Sequence, residues 1–234
     1  MPPETILGVY FLQNWYALRD PMADEMLCDC EAMRRSAGVE MGDDRIFDET
    51  TIFNFRHLLE RHGMTKAILA EVSAHLTDKW ITLRLGNLAD ATIIDVPSST
   101  KNKARTRDPD MSTTRKGNDR YFGMKTHIGV GAESGMIQSL EVTTAKVHDN
   151  RVGYELLHGE ETSVEADKGD ISAEREAECS MDGKAGGVMR KVPQVVHFFW
   201  VTKRQFGHVK TRYRGLVKNR SPLSLCSRSA TCSC

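Results

Sequence analysis

The chain has 234 residues, 40% of them hydrophobic and 27% charged, and its 32 basic and 32 acidic side chains cancel to a formal net charge of zero. That length suits one medium domain, or a small domain joined to a larger one, with enough chain to bury a core. No apolar run approaches the ~20 residues of a membrane-crossing helix. The first residues also lack the charged-then-apolar pattern of a secretory signal, so a cytoplasmic protein is expected.

The balanced charge hides an asymmetry. Asp182 is the last acid in the chain, and residues 183–234 hold eleven Lys or Arg and no Asp or Glu. A basic block on an otherwise acidic chain points to a phosphate-backbone partner. Six cysteines stand at 28, 30, 179, 226, 232 and 234. Their C-x-C pairs do not have the spacing of a zinc site, and reduced thiols are expected in the cytoplasm.

In chain order, residues 4–80 read as helical. Ile6, Val9, Tyr10 and Leu12 to Leu18 supply an apolar face, and Pro21 starts a second segment through Met33. Asp48 is placed to cap a helix over 50–62, with Ile52, Phe55, Leu58 and Leu59 on one face and Gly63 as its stop. Thr65 opens another helix through Leu76. The period then changes. Leu88 to Val96 is an apolar, β-branched run that carries Asp90 and Asp95 and breaks at Pro97. A polar, basic loop spans 97–119, with Lys101, Lys103, Arg105, Arg107, Arg115 and Lys116. Tyr121–Val130 and Met136–Thr144 flank a Gly-containing turn and read as a hairpin. Asp149 caps a short helix through Leu157, and a strand from Thr162 to Ala166 delivers Asp167.

An ionised carboxylate inside an apolar run is costly to bury without a cation or hydrogen bonds, which makes Asp90 a candidate metal ligand. Asp95 stands five residues further along the strand and is expected to point to the opposite face.

Several phrases carry a family resemblance. They are Leu-Ala-Asp-Ala-Thr-Ile-Ile-Asp-Val-Pro-Ser-Ser-Thr-Lys-Asn-Lys at 88–103, Asp-Glu-Thr-Thr-Ile at 48–52 and Asn-Phe-Arg-His-Leu-Leu-Glu at 54–60. Tyr-Phe-Gly-Met-Lys at 121–125, Ala-Asp-Lys-Gly at 166–169 and Lys-Arg-Gln-Phe-Gly-His-Val-Lys-Thr-Arg-Tyr-Arg-Gly-Leu-Val-Lys-Asn at 203–219 complete the set. In this order they resemble bacterial insertion-sequence transposases of the acid-triad (DDE) type, in the group numbered five. The resemblance runs from about Pro3 to Lys191 and resumes at Lys203.

The resemblance implies an α/β fold, an RNase H-like mixed sheet flanked by helices, with an N-terminal helical region over 1–80 that helps engage transposon ends. The catalytic domain is expected over 81–219, contracted near 185–200, and an irregular tail over 220–234. Family members usually carry more chain ahead of the helical region, so a shortened start is expected. The implied chemistry is hydrolysis of a phosphodiester and joining of the freed 3′-hydroxyl to target DNA, with two Mg²⁺ ions. The implied partners are inverted-repeat ends, target DNA and a second copy of the chain in the synaptic complex; the DNA-bound protein would sit on the nucleoid.

By resemblance, Asp90 is the first metal-binding acid and Asp167 the second. The third, a Glu seven residues ahead of Lys203, falls at Val196, so it is absent. Impaired catalysis follows, with an inactive DNA-binding remnant as the alternative. Lys203, Arg204, His208, Lys210, Arg212 and Arg214 are expected on a helix and extension along the DNA backbone, where such contacts give affinity and register without reading sequence.

Overall fold

The computed structural model describes residues 2–39, 47–78, 86–97, 100–101, 105–157, 163–166, 185–188 and 193–231. Ahead of the first strand come α1 (Pro3–Trp15), α2 (Asp20–Asp29), α3 (Glu31–Ala37), α4 (Glu49–Arg61) and α5 (Met64–Asp78). The Asp48 carboxylate accepts the Thr51 N–H at 2.8 Å and caps α4 as its position in the sequence predicts. Gly63, at φ +60, takes the left-handed turn after it.

The single segment expected from Pro21 to Met33 is two helices. The backbone leaves the helical region at Cys30 (φ −114, ψ 107). Arg34 then donates to the Leu27 and Cys28 carbonyls, both at 2.6 Å, satisfying acceptors that the end of α2 leaves open. Val9, Leu12, Leu27 and Ile52 anchor the core that α1 to α4 share. On α4 the expected face holds at Ile52 and Leu59, but Leu58 is 47% exposed and Arg56 turns inward instead.

Six strands form one sheet: β1 (Gly86–Asp95), β2 (Ser112–Lys116), β3 (Asp119–Gly131), β4 (Ile137–Thr144), β5 (Ser163–Ala166) and β6 (Ala185–Val188). β1 pairs antiparallel with β3 and parallel with β5, and β5 pairs parallel with β6. β3 is long enough to pair first with β2 and then with β4 along one edge. The order β4–β3–β1–β5–β6, with β1 central, is a mixed sheet of the kind that the resemblance implies. Gly123 lets β1 and β3 approach, because a Cβ there would strike the Ile94 carbonyl oxygen.

Two strands were not expected. β2 lies within the stretch read as a loop; it is an edge strand with no fully buried residue, so no alternation marked it. β6 is Ala-Gly-Gly-Val, whose small residues carry little β signature.

One face of the sheet packs Leu88, Ile94, Ile128 and Leu140 against α7 (Pro193–Trp200) and α8 (Leu216–Thr231). The other face packs Ala89 against Val152 and Leu156, which belong to α6 (Asp149–Val152) and the 3₁₀ turn Gly153–Leu156.

α8 corrects the expected irregular tail. Leu223 and Cys226 are fully buried on the sheet, and Leu225 packs with Tyr10 and Leu59 of the N-terminal helices. Ser221, Ser224 and Ser227 are buried, where small side chains allow close approach. Ser221 Oγ lies 3.2 Å from Tyr10 Oη and 2.6 Å from Thr65 Oγ1, and Ser227 Oγ donates to the Ser224 carbonyl at 2.6 Å. Pro222 removes one helical donor without ending the helix. Among the described residues, no helix is long and apolar enough to cross a membrane.

Candidate acidic centre and nucleic-acid interface

β1 runs in unbroken register with β3, so alternate residues share a face. Asp90 therefore lies on the side of Leu88 and Ile94, the side that α7 covers through Val195 and Phe198. Asp95 points to the other side. Asp90 is half-buried, and its Oδ1 accepts the Ala91 N–H at 2.6 Å. β5 ends on Ala166, paired with Ala89, the residue just before Asp90. The next residue in sequence, Asp167, lies outside the described residues.

Val196 stands on α7 between two buried neighbours, Val195 and Phe198, and is itself 50% exposed. The position at which the resemblance expects the third acid is a half-exposed hydrocarbon side chain on a helix packed over β1. Among the described residues, no group of three or more His, Cys, Asp or Glu stands together. Of the acids expected to hold metal, Asp90 lies among the described residues, and its half-buried carboxylate offers the kind of oxygen ligand that Mg²⁺ takes one or two of, the rest being water and phosphate.

The basic stretch begins in a π-type turn, Val201–Gln205, that follows α7 directly. Val201 and Thr202 are buried there, while Arg204 is exposed. Lys203 is half-buried, and burial pushes its ammonium below the usual lysine range, with Asp95 partly opposing that and Lys116 adding to it. The chain then runs beside the end of β1, where the Thr211 N–H donates to the Asp95 carbonyl at 2.9 Å. There the backbone of Lys210, whose side chain is exposed, forms an isolated parallel β-bridge with Asp95.

Arg212 is half-buried and its guanidinium donates to the Phe206 carbonyl. Arg214 is exposed and reaches Thr106 Oγ1 at 3.3 Å and the Arg107 carbonyl at 3.4 Å. That contact brings the basic loop of 105–107 against the stretch. Its acids serve another purpose: Asp108 Oδ2 accepts the Gly215 N–H at 2.7 Å, and Asp110 Oδ2 accepts the Leu216 N–H at 3.2 Å, at the start of α8.

His208 is the exception among the expected DNA contacts. It is 3% exposed, with Nε2 3.6 Å from Cys226 Sγ. Burial, then Arg212, push its pKa down to about 3. A buried neutral ring offers nothing to a phosphate, so His208 secures the stretch from inside.

A second cluster escaped the sequence reading. Arg56 forks onto Asp20 with Nη1–Oδ1 at 2.6 Å and Nη2–Oδ2 at 2.8 Å, and donates to Tyr213 Oη at 3.2 Å. Its guanidinium carbon also lies 4.7 Å from the Tyr213 ring centroid. This clasp ties α2 and α4 to the basic stretch, across 157 positions of sequence between Arg56 and Tyr213.

Residues 82–184 match the family "Transposase DDE domain", and residues 1–58 match "Transposase domain (DUF772)". The chain belongs to the DDE transposases. Both sequence-predicted acids, Asp90 and Asp167, fall inside the matched residues of the transposase domain; Val196 and the basic stretch lie beyond them. Among solved structures, this transposase chain is similar to the piggyBac transposase synaptic complex with hairpin DNA, at 11% identity and a TM-score of 0.39, over 83% of this chain and 44% of that one. It is also similar to the Mos1 Strand Transfer Complex, at 13% identity and a TM-score of 0.33, over 100% of this chain and 79% of that one. The chain thus spans less than half the length of the first of these.

Proposed function

We propose that this chain engages the terminal inverted repeats of an insertion sequence as its transposase, and that its Mg²⁺-dependent cleavage and strand transfer are impaired. The observation that carries the reading is the acid-free stretch 203–214, which runs alongside the end of the strand bearing Asp90 and presents Arg204, Lys210 and Arg214 to solvent. Phosphates drawn to those cations would lie at the Asp95 end of that strand, about 16 Å along it from Asp90, and Lys203 and Arg212 add charge from half-buried positions. Asp90 and Asp167 are the proposed metal-binding pair. Val196 supplies no third carboxylate, so no chemical step is assigned to the centre. The target duplex and a second copy of the chain complete the proposed assembly, on the nucleoid in the cytoplasm.

The same Val196 favours a second reading, a DNA-binding remnant that occupies transposon ends without cutting them. One experiment separates the two. The full chain is incubated with an inverted-repeat duplex and Mg²⁺, and binding and strand cleavage are followed together. Binding with slow cleavage supports the first reading, binding with cleavage at background supports the remnant, and absence of binding at low salt refutes both.

A further inference from the structure

The two ends of the chain meet at a cleft that neither family match assigns. A cavity of about 490 Å³ opens between Ala17–Pro21 on one side and Gly207 with Thr211–Tyr213 on the other. That volume lies in the range of ligand-binding clefts, about 300–1,000 Å³, and leaves ample room for a phosphate group. We propose that this cleft seats a phosphate group of the DNA backbone, so that duplex DNA is gripped by the N-terminal helices and the basic stretch at once. The proposal rests on the DNA binding proposed above and adds Arg19, a residue outside that stretch.

Charge favours an anion. Arg19 and Arg212 line the cleft, and the one acid among the lining residues, Asp20, is already held by Arg56 through both oxygens and by Gln13 Nε2 at 2.6 Å. With Asp20 neutralised by Arg56, two guanidinium groups are left in excess. Arg19 is exposed and, among the described residues, forms no ion pair. Arg212 spends one nitrogen on the Phe206 carbonyl. A guanidinium has five donors, so both side chains keep N–H groups for phosphate oxygens.

The backbone holds the cleft open. Ala17 stands at φ +57, a left-handed conformation unusual for a residue with a side chain, and Gly207 faces it at φ +68. A Cβ added at Gly207 would meet the Ala17 Cβ and Arg212 Nη2, each at 3.4 Å, and would begin to fill the gap. Left-handed non-glycine residues persist where the surrounding structure over-determines them, and such places are often binding sites.

The geometry favours a backbone phosphate over a nucleobase. One face of the Tyr213 ring, the only aromatic ring among the described residues lining the cleft, is already taken by the Arg56 guanidinium, which leaves little of it for a stacked base. The exposed cations Lys210 and Arg214 flank the wall in sequence and extend it into a track for successive phosphates.

The test is a salt titration of duplex binding by the full chain, read by fluorescence anisotropy on inverted-repeat and scrambled duplexes. Arg19→Ala should flatten the slope of log affinity against log salt by about one unit on both duplexes. Arg19→Lys should keep the wild-type slope, since charge is what the slope counts. Arg151→Ala, at an exposed cation on the opposite face of the sheet, should change nothing. A slope for Arg19→Ala equal to wild type, in a chain that melts normally and still binds, would overturn the cleft and leave the DNA reading standing. No binding by the wild type at low salt would sink both. Inorganic phosphate, matched to chloride in ionic strength, should displace no more duplex than chloride does. Displacement that depends on Arg19 would show that the cleft takes a free anion in place of the backbone.

Discussion

Arg56 is a charged side chain only 5% exposed, and charges so placed are tolerable only when their partners are arranged with them. Here the partners are Asp20 and Tyr213, one from the neighbouring helix and one from the far end of the chain. Arg56→Ala should lower unfolding stability by about 1.5–3 kcal/mol in urea titration, because the half-buried Asp20 would keep only Gln13 and solvent as partners. Replacing Arg56 and Asp20 together by Met and Leu should cost much less. His208 gives a second prediction, in pH. Its pKa is about 3 in the folded chain, against the ordinary value of 6.5, with burial as the main cause. The unfolded chain therefore binds the proton first, and the stabilising contribution is full above pH 6.5 and lost as pH falls toward 3. By pH 4 the loss should reach about 3 kcal/mol. His208→Gln should flatten the acid limb of the stability–pH curve. Part of the slope should remain, because burial also pushes His127 down to about 4, against the opposing pull of Asp149. His208 is expected among the DNA contacts because it belongs to the basic family phrase at 203–219; its depth in the fold puts it inside instead.

At the scale of elements, α8 shows how a helix forms from an unpromising sequence. Its stretch is rich in Ser and contains Pro222, and local preference alone favours an irregular ending. Packing decides instead: Leu223 and Cys226 complete the core over β1, β3 and β4, and the hydroxyls of Ser221 and Ser227 find partners inside. Leu223→Ala should cost roughly 2–5 kcal/mol in thermal or chemical unfolding, the range for a buried leucine whose cavity does not collapse. A stability change within experimental error would mean that α8 does not pack there. Asp108→Ala should cost about 1 kcal/mol, because the Gly215 N–H at the start of α8 would lose its acceptor. By contrast, α4 was legible from Asp48 to Gly63, since cap, apolar spacing and stop are all local. β2 and β6 were not, because an edge strand and a run of small residues leave no periodic trace.

For the whole molecule, the proposed impairment turns on whether a centre short of one carboxylate could still act. In phosphoryl transfer, catalysis is mostly positioning and neutralisation of charge, so a missing ligand removes a large part of it. The wild-type chain should show no Mg²⁺-dependent strand transfer above background on an inverted-repeat duplex, or at most a trace of cleavage. Val196→Glu alone should not restore it, because the domain is also expected to be contracted near 185–200, around that helix. Vigorous strand transfer by the unmodified chain would show that another acid has taken the role. The sequence by itself determined the family, through phrases spread from residue 48 to 219, and with it the strand that carries Asp90. Strand alternation also separated Asp90 from Asp95, because side chains on an unbroken strand change face at every residue. The tertiary structure alone decided which cations reach solvent, that His208 is inside, that 216–231 is a helix, and that Arg56 joins Asp20 to Tyr213. Each of these depends on contacts between residues brought together by packing, up to 211 positions apart for Tyr10 and Ser221. Local propensity carries no record of such contacts, because the energy that fixes them comes from burial and hydrogen bonding with partners that exist only once the chain has folded.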